Sequence, residues 1–209
     1  MSLPAHPLVQ PFFHGESSTW SYVVADVSSA RAAVIDPVLD FDPKSARTST
    51  HSVDSLIAWV CENAFAIDWI LETHAHADHL SAAQHVKQQL GGRIGIGAGI
   101  CATQKTFAPI FGLEDAFACD GSQFDRLFAD EESFPVGDID AQVIAVPGHM
   151  EYATIKAVVA PLPARAASAR RSATTSTCAR AAKNRSSYAC AANATPPSRV
   201  PHCCCRRSR

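Results

Sequence analysis

Seven consecutive residues, Thr73-His74-Ala75-His76-Ala77-Asp78-His79, bring three imidazoles and one carboxylate together. Neutral histidine and ionised aspartate are ligands for borderline divalent metals. Alanine at both spacer positions keeps the segment small, so the backbone can bend and several side chains can aim at one point. This density of ligand types points to a metal site rather than a solvated histidine-rich turn. Val146-Pro147-Gly148-His149 repeats the logic. An apolar strand ends, Pro and Gly turn the chain sharply, and a histidine is presented. Alone such a turn is weak evidence; beside the heptapeptide it makes His149 a further candidate ligand.

The elements that must position these residues follow from hydrophobic period. Residues 8–35 read as strands, with Trp20, Tyr22 and Val24 on one face and a turn over Val27-Ser28-Ser29-Ala30 leading to Ala32-Ala33-Val34-Ile35. Asp36-Pro37 stops that strand, and Asp40 to Thr50 reads as a polar loop. Val53, Leu56, Ile57, Val60 and Cys61 recur at helical spacing, with Ser52 as the expected N-cap and Asp54 in the first turn. Ile67 to Leu71 is a short apolar run, expected as a buried strand. Leu80, Ala83, Val86 and Leu90 give the next helix its buried stripe, ended by Gly91-Gly92. Arg93 to Ile96 is a short strand, Ala102 to Phe111 a short helix. Phe124 to Phe128 and Gln142 to Val146 are two more strands, with Gly137-Asp138 in the turn between. Alternating strands and helices define a layered α/β domain with a mixed sheet. The heptapeptide then falls at the carboxyl end of a strand, where such sheets place their sites.

Composition divides the chain. Residues 1–150 carry seven Lys/Arg and 19 acids, a net charge of −12; residues 151–209 carry eleven Lys/Arg and one acid, a net charge of +10. All ten glycines lie at or before Gly148, no Phe or Trp follows Phe134, and five of the eight cysteines lie after residue 150. Residues 1–150 therefore read as one domain and 151–209 as a basic, Ala/Arg/Ser-rich tail, expected to be disordered. A nucleic-acid-binding arm is disfavoured: the cations are scattered and no aromatic platform accompanies them. No apolar stretch reaches membrane-span length, and the N-terminus lacks a basic region followed by an apolar core. The cytoplasm is the expected compartment, without a membrane partner. Cys61 reads as core on a helix face, His6, His14 and His51 as surface or loop residues, and His85 as a helix-surface histidine.

The heptapeptide and the Gly-His turn resemble the metallo-β-lactamase superfamily, whose signature is His-x-His-x-Asp-His followed by a later histidine. The resemblance covers about residues 8–149. Ile35 to Asp42, Glu72 to Ala83 and Val146 to His149 resemble the persulfide dioxygenase branch related to glyoxalase II, including the bacterial β-lactamase hydrolase-like proteins. The implied fold is an αββα sandwich with its N-terminal half well represented. In the dioxygenase branch the resemblance implies one Fe(II) held by His74, His149 and an aspartate, with His76, Asp78 and His79 supporting them. The implied reaction oxidises glutathione persulfide to sulfite and glutathione, so a glutathione-linked thiol or persulfide is the expected partner. In hydrolytic relatives His74, His76, Asp78, His79 and His149 hold Zn(II) at a two-metal site, and Asp78 takes a catalytic part. The family's later Gly-Asp turn has no counterpart here: no Asp follows Asp140, and His202 is the one later histidine. The third ligand of the iron site is therefore unassigned. A reading-frame shift after His149 would account for the change in composition and the lost motif together. Three expectations follow: a persulfide dioxygenase with impaired activity, a glyoxalase II-like zinc hydrolase of thioesters, or a catalytically silent fragment. The second half-sandwich is expected to be lost or replaced, leaving an apolar sheet face uncovered. A homodimer is compatible with all three.

Overall fold

Valine, isoleucine and alanine fill the strands that carry the domain. A computed structural model describes residues 6–113, 117–146 and 155–158, all within one compact unit. β1 (Leu8–His14), β2 (Thr19–Asp26) and β3 (Arg31–Ile35) run antiparallel. β3 then pairs in parallel with β6 (Ala66–Leu71), which pairs with β8 (Arg93–Gly97), which pairs with β9 (Arg126–Phe128). The six-stranded order β1-β2-β3-β6-β8-β9 is the expected mixed sheet.

Helices cover one face of it. α1 (His51–Glu62) buries Val53, Leu56, Ile57 and Val60, and α2 (Ala83–Leu90) buries Ala83 and Val86. They meet Val23, Ala25, Ala32, Val34, Ile67, Ile70 and Ile94 from the sheet in one core cluster. The third helix, α3 (Ile100–Ile110), follows β8. The other sheet face meets β10 (Ser133–Val136) and β11 (Ile139–Ala145), which with β12 (Ile155–Val158) form a three-stranded antiparallel sheet. There Ala33, Trp69 and Leu71 pack on Phe134, Val136, Ala141 and Val143. Helix, sheet and sheet are thus three of the four layers of an αββα sandwich, as the family resemblance implied.

Several local expectations are corrected. The segment read as a polar loop holds β4 (Val38–Asp42) and β5 (Arg47–Ser49), paired as a hairpin. Its outer residues are exposed, so no apolar alternation marks it. Thr50, not Ser52, stands at the N-terminus of α1, where its hydroxyl donates to Asp54 Oδ2 at 2.8 Å. Ser52 already lies inside the helix and its N–H donates to Asp40 Oδ2 at 3.0 Å. Leu80 is not part of the buried stripe of α2. It is 45 % exposed and belongs to the two-residue strand β7 (Leu80–Ser81), which pairs with Val38 and Leu39 of β4. α2 does end at Gly91, whose φ of 76° suits glycine. The Gly137-Asp138 turn joins β10 to β11, so a strand lies between Phe128 and that turn that the sequence reading passed over. Residues 151–154 and 159–209 lie outside the described residues.

Candidate metal centre

The heptapeptide occupies the loop between β6 and β7, at the carboxyl end of a central strand. The backbone pins it at both ends. Asp36 N–H donates to Leu71 O at 2.9 Å, Glu72 N–H to Gly95 O at 3.0 Å, and Ala82 N–H to Pro37 O at 2.7 Å. The crossing Asp36-Pro37 segment and the β4–β7 pairing therefore clamp the loop against the sheet. Asp36 itself takes φ +48°, a left-handed conformation that aspartate tolerates better than most residues.

Within the loop, His74, His76 and Asp78 each offer a ligand atom within 4.8 Å of the others. The His76 ring lies 4.2 Å from that of His74 and 4.1 Å from that of His79, centroid to centroid. Hydrogen bonds assign the ring protons. His76 Nε2 stands 3.1 Å from Asp36 Oδ1 and 3.1 Å from Glu72 Oε2, both acceptors, so Nε2 carries a proton and Nδ1 is the nitrogen turned to a ligand. His79 Nδ1 donates to Leu80 O at 3.1 Å, which leaves the lone pair on Nε2. That Nε2 is buried and, among the described residues, is the one buried side-chain nitrogen or oxygen without a hydrogen-bond partner. A buried polar atom without a partner costs free energy comparable to a lost hydrogen bond unless something fills the role. Thr73 Oγ1 donates to Asp36 Oδ2 at 2.7 Å and accepts from His74 Nδ1 at 2.8 Å, so the His74 lone pair is on Nε2. Asp78 Oδ2 accepts from Thr19 Oγ1 at 3.2 Å. The hydrogen bonds thus make Nε2 the lone-pair nitrogen of His74 and of His79, and at Nδ1 of His76 a divalent cation would take the place of a proton. The residues fit a metal.

Charge in the site follows from burial and these contacts. Burial alone would lower the His76 pKa, but the Asp36 and Glu72 carboxylates outweigh it and push it up to about 10. Burial pushes Glu72 up, against the hydrogen bond from His76. Burial pushes His79 down. Asp78 faces a burial penalty too, yet its hydrogen bonds and His79 hold it below the ordinary carboxylate range. A cleft of about 750 Å³ opens onto His76, Asp78 and His79, and a second of about 360 Å³ onto His74 and His79.

The structure brings four of the five sequence-predicted residues into one loop; His149 lies outside the described residues. It also adds residues the sequence reading missed. Asp36 and Glu72 are the acceptors that orient His76. Each follows a buried strand and precedes a break in it, a place where an acid next to a ligand motif signals a supporting role. His14, read as a surface residue, is 8 % exposed. Its Nε2 contacts Asp40 Oδ1 at 3.0 Å and its Nδ1 accepts from Ser17 Oγ at 2.7 Å, on the wall of the larger cleft. His85 is also more than a surface histidine: its Nε2 reaches Asp54 Oδ1 at 2.9 Å and joins α2 to α1. Cys61 packs against the helix-side core, as expected.

A mixed α/β sandwich with histidines and an aspartate converging at a strand end defines a class of metal-site proteins. The Metallo-beta-lactamase superfamily model matches residues 14–153, and this chain belongs to that superfamily. A "Probable metallo-hydrolase" of Burkholderia pseudomallei is 46 % identical over 141 residues, 68 % of this chain and 48 % of the relative. "Glyoxylase B2" of Dictyostelium discoideum is 43 % identical over 68 % of this chain and 49 % of its own length. The human mitochondrial persulfide dioxygenase ETHE1 is 25 % identical over 68 % and 44 %. The chain therefore spans about half the length of these relatives. Among solved structures, ETHE1 from Myxococcus xanthus superposes with a TM-score of 0.54 at 23 % identity, covering 73 % of this chain and 53 % of that one.

Proposed function

We propose that the chain is built for metal-dependent chemistry on a glutathione-linked persulfide, converting it with O2 and water to sulfite and glutathione. The observation that carries a metal reading is the buried Nε2 of His79, without a hydrogen-bond partner among the described residues, beside the convergent atoms of His74, His76 and Asp78. His74, with His149, would hold Fe(II), while His76, Asp78 and His79 complete and support the shell. Bound iron would supply redox chemistry toward O2, and bound zinc Lewis acidity. The protein's own part is positional. Asp36 and Glu72 orient His76, Thr19 steadies Asp78, and the cleft beside Lys44 and His14 admits a small polar substrate. The persulfide reading is supported by the Ile35–Asp42 and Glu72–Ala83 stretches and by the likeness to the human persulfide dioxygenase.

A second reading, a glyoxalase II-like zinc hydrolase of thioesters, is favoured by one specific observation. The loop offers His79 beside the converging His74, His76 and Asp78, more than a single facial triad uses, and the Burkholderia and Dictyostelium relatives carry hydrolase and glyoxylase names. Metal analysis of the purified chain, with O2 uptake on glutathione persulfide and cleavage of a glutathione thioester, separates the two. Iron with O2 uptake supports the first, and zinc with thioester cleavage the second. A chain that binds neither metal overturns both.

A further inference from the structure

The most economical arrangement for His76 would be one acceptor on its Nε2, yet it has two. Asp36 Oδ1 and Glu72 Oε2 both stand at 3.1 Å. Asp36 has other duties, because the Thr73 N–H at 2.7 Å and the Thr73 hydroxyl at 2.7 Å both donate to it. Glu72 has fewer. Only 4 % exposed, it lies at the end of β6, a place where an apolar side chain would sit at lower cost. Its Oε1 accepts from Ser81 Oγ, and Ser81 Oγ in turn accepts from the N–H of Ala83, the first residue of α2, at 3.0 Å. Glu72 thus links the ring of a candidate ligand to the start of the following helix.

We infer that Glu72 is a positioning residue for the metal: it fixes the His76 ring with Nδ1 as the binding nitrogen and ties the ligand loop to α2. This rests on reading the loop as a metal site. Asp36 holds the same ring from β3, so the two carboxylates grip it from neighbouring strands and restrict its rotation. Removing Glu72 leaves Asp36 to hold the proton but frees the ring to swing and leaves the Ser81 hydroxyl without its acceptor. The expected consequence is a looser metal rather than a different fold.

Co(II) titration of the full chain, followed by its visible absorption, tests this directly. Glu72→Gln preserves shape and should weaken Co(II) about 10–100-fold and alter the visible bands, while the metal-free melting temperature stays near that of the unaltered chain. Co(II) affinity and bands unchanged in Glu72→Gln overturn the inference. Should that variant fail to fold, Ser81→Ala takes its place, since it removes the hydroxyl that binds Glu72 and the Ala83 N–H while leaving the Glu72 carboxylate in place. A weakening in the same direction supports the inference, and unaltered affinity and bands overturn it. If the unaltered chain binds no Co(II), the metal reading falls and this inference with it; if it binds and the variants match it, only the role of Glu72 falls.

Discussion

The carboxylate of Asp26 accepts the backbone N–H of Asp138 at 2.8 Å, across 112 residues of chain. Asp26 ends β2 in the large sheet, and Asp138 lies in the β10–β11 turn of the small one. Asp68 makes a parallel link from β6, accepting the Gly137 N–H at 2.9 Å while paired with Arg31. Two buried or half-buried acids thus anchor one turn to both halves of the large sheet. The small sheet is seated on the face opposite the helices by directed bonds as well as by apolar packing.

Acid should loosen this anchor. Burial alone would raise the Asp26 pKa, but the hydroxyls of Ser28 and Ser29 and the N–H groups of Asp138 and Ser28 outweigh it, bringing it from the ordinary 3.8 to about 2. The folded pKa lies below the unfolded one, so the contribution is fully present above about pH 4 and is lost as pH falls toward 2. In urea unfolding at pH 4.5 and pH 2.5, Asp26→Asn should lose stability at the higher pH and narrow the difference between the two. A variant with the same pH slope as the unaltered chain would contradict this.

Gly137 should resist substitution. Its φ is +60°, and a Cβ there would overlap the Ser29 hydroxyl and crowd Asp26 Oδ2. Gly137→Ala should cost more than ~1 kcal/mol from backbone strain alone, with the turn displaced from Asp26 as well. Thermal unfolding provides the measurement, and a melting temperature equal to that of the unaltered chain would refute the strain.

Trp69 is the central side chain between the sheets. It is 3 % exposed, its ring meets Phe128 at 5.2 Å and Phe134 at 5.6 Å, Arg93 lies 3.9 Å above it, and its Nε1 donates to Pro135 O at 2.9 Å. Trp69→Ala should cost ~3–5 kcal/mol, whereas Trp69→Phe should cost less, losing the hydrogen bond and part of the packing. Chemical denaturation of the two variants should give that order; equal losses would assign the whole effect to the Nε1 bond.

His79 should act on metal without acting much on the fold. Among the described residues its buried Nε2 has no hydrogen-bond partner, so the one bond that a substitution removes is that from Nδ1 to Leu80 O. His79→Ala should reduce zinc bound at equilibrium dialysis by tenfold or more, while metal-free stability stays within ~1 kcal/mol or rises. A variant that retains full zinc would remove His79 from the site.

The sequence showed the amphipathic α1 and the apolar β6 because their burial is one-sided or complete and leaves a periodic trace. It showed four candidate ligands because chemistry needs those side chains close together in one loop. It did not show β4 and β5, whose outer residues face solvent, nor β7, two residues made a strand by their partner in β4 and not by their own pattern. Thr50 and Ser52 are both suited to a cap by type, and in the fold the Ser52 N–H is already bonded to Asp40, 12 positions away. The burial of His14 depends on Asp40, 26 positions away, a pairing no local period records. The roles of Asp36 and Glu72 were hidden for the same reason, since acids at strand ends read as surface until the crossing strand brings them onto His76.

The bonds that orient His76 and His79 are supplied by Asp36, Glu72 and Leu80, and Gly95 O secures the loop backbone. All of these precede α3. The cradle is therefore specified by the chain up to β8, without a residue of the small sheet. The sequence that follows β11 therefore plays no part in the bonds that orient His76 and His79.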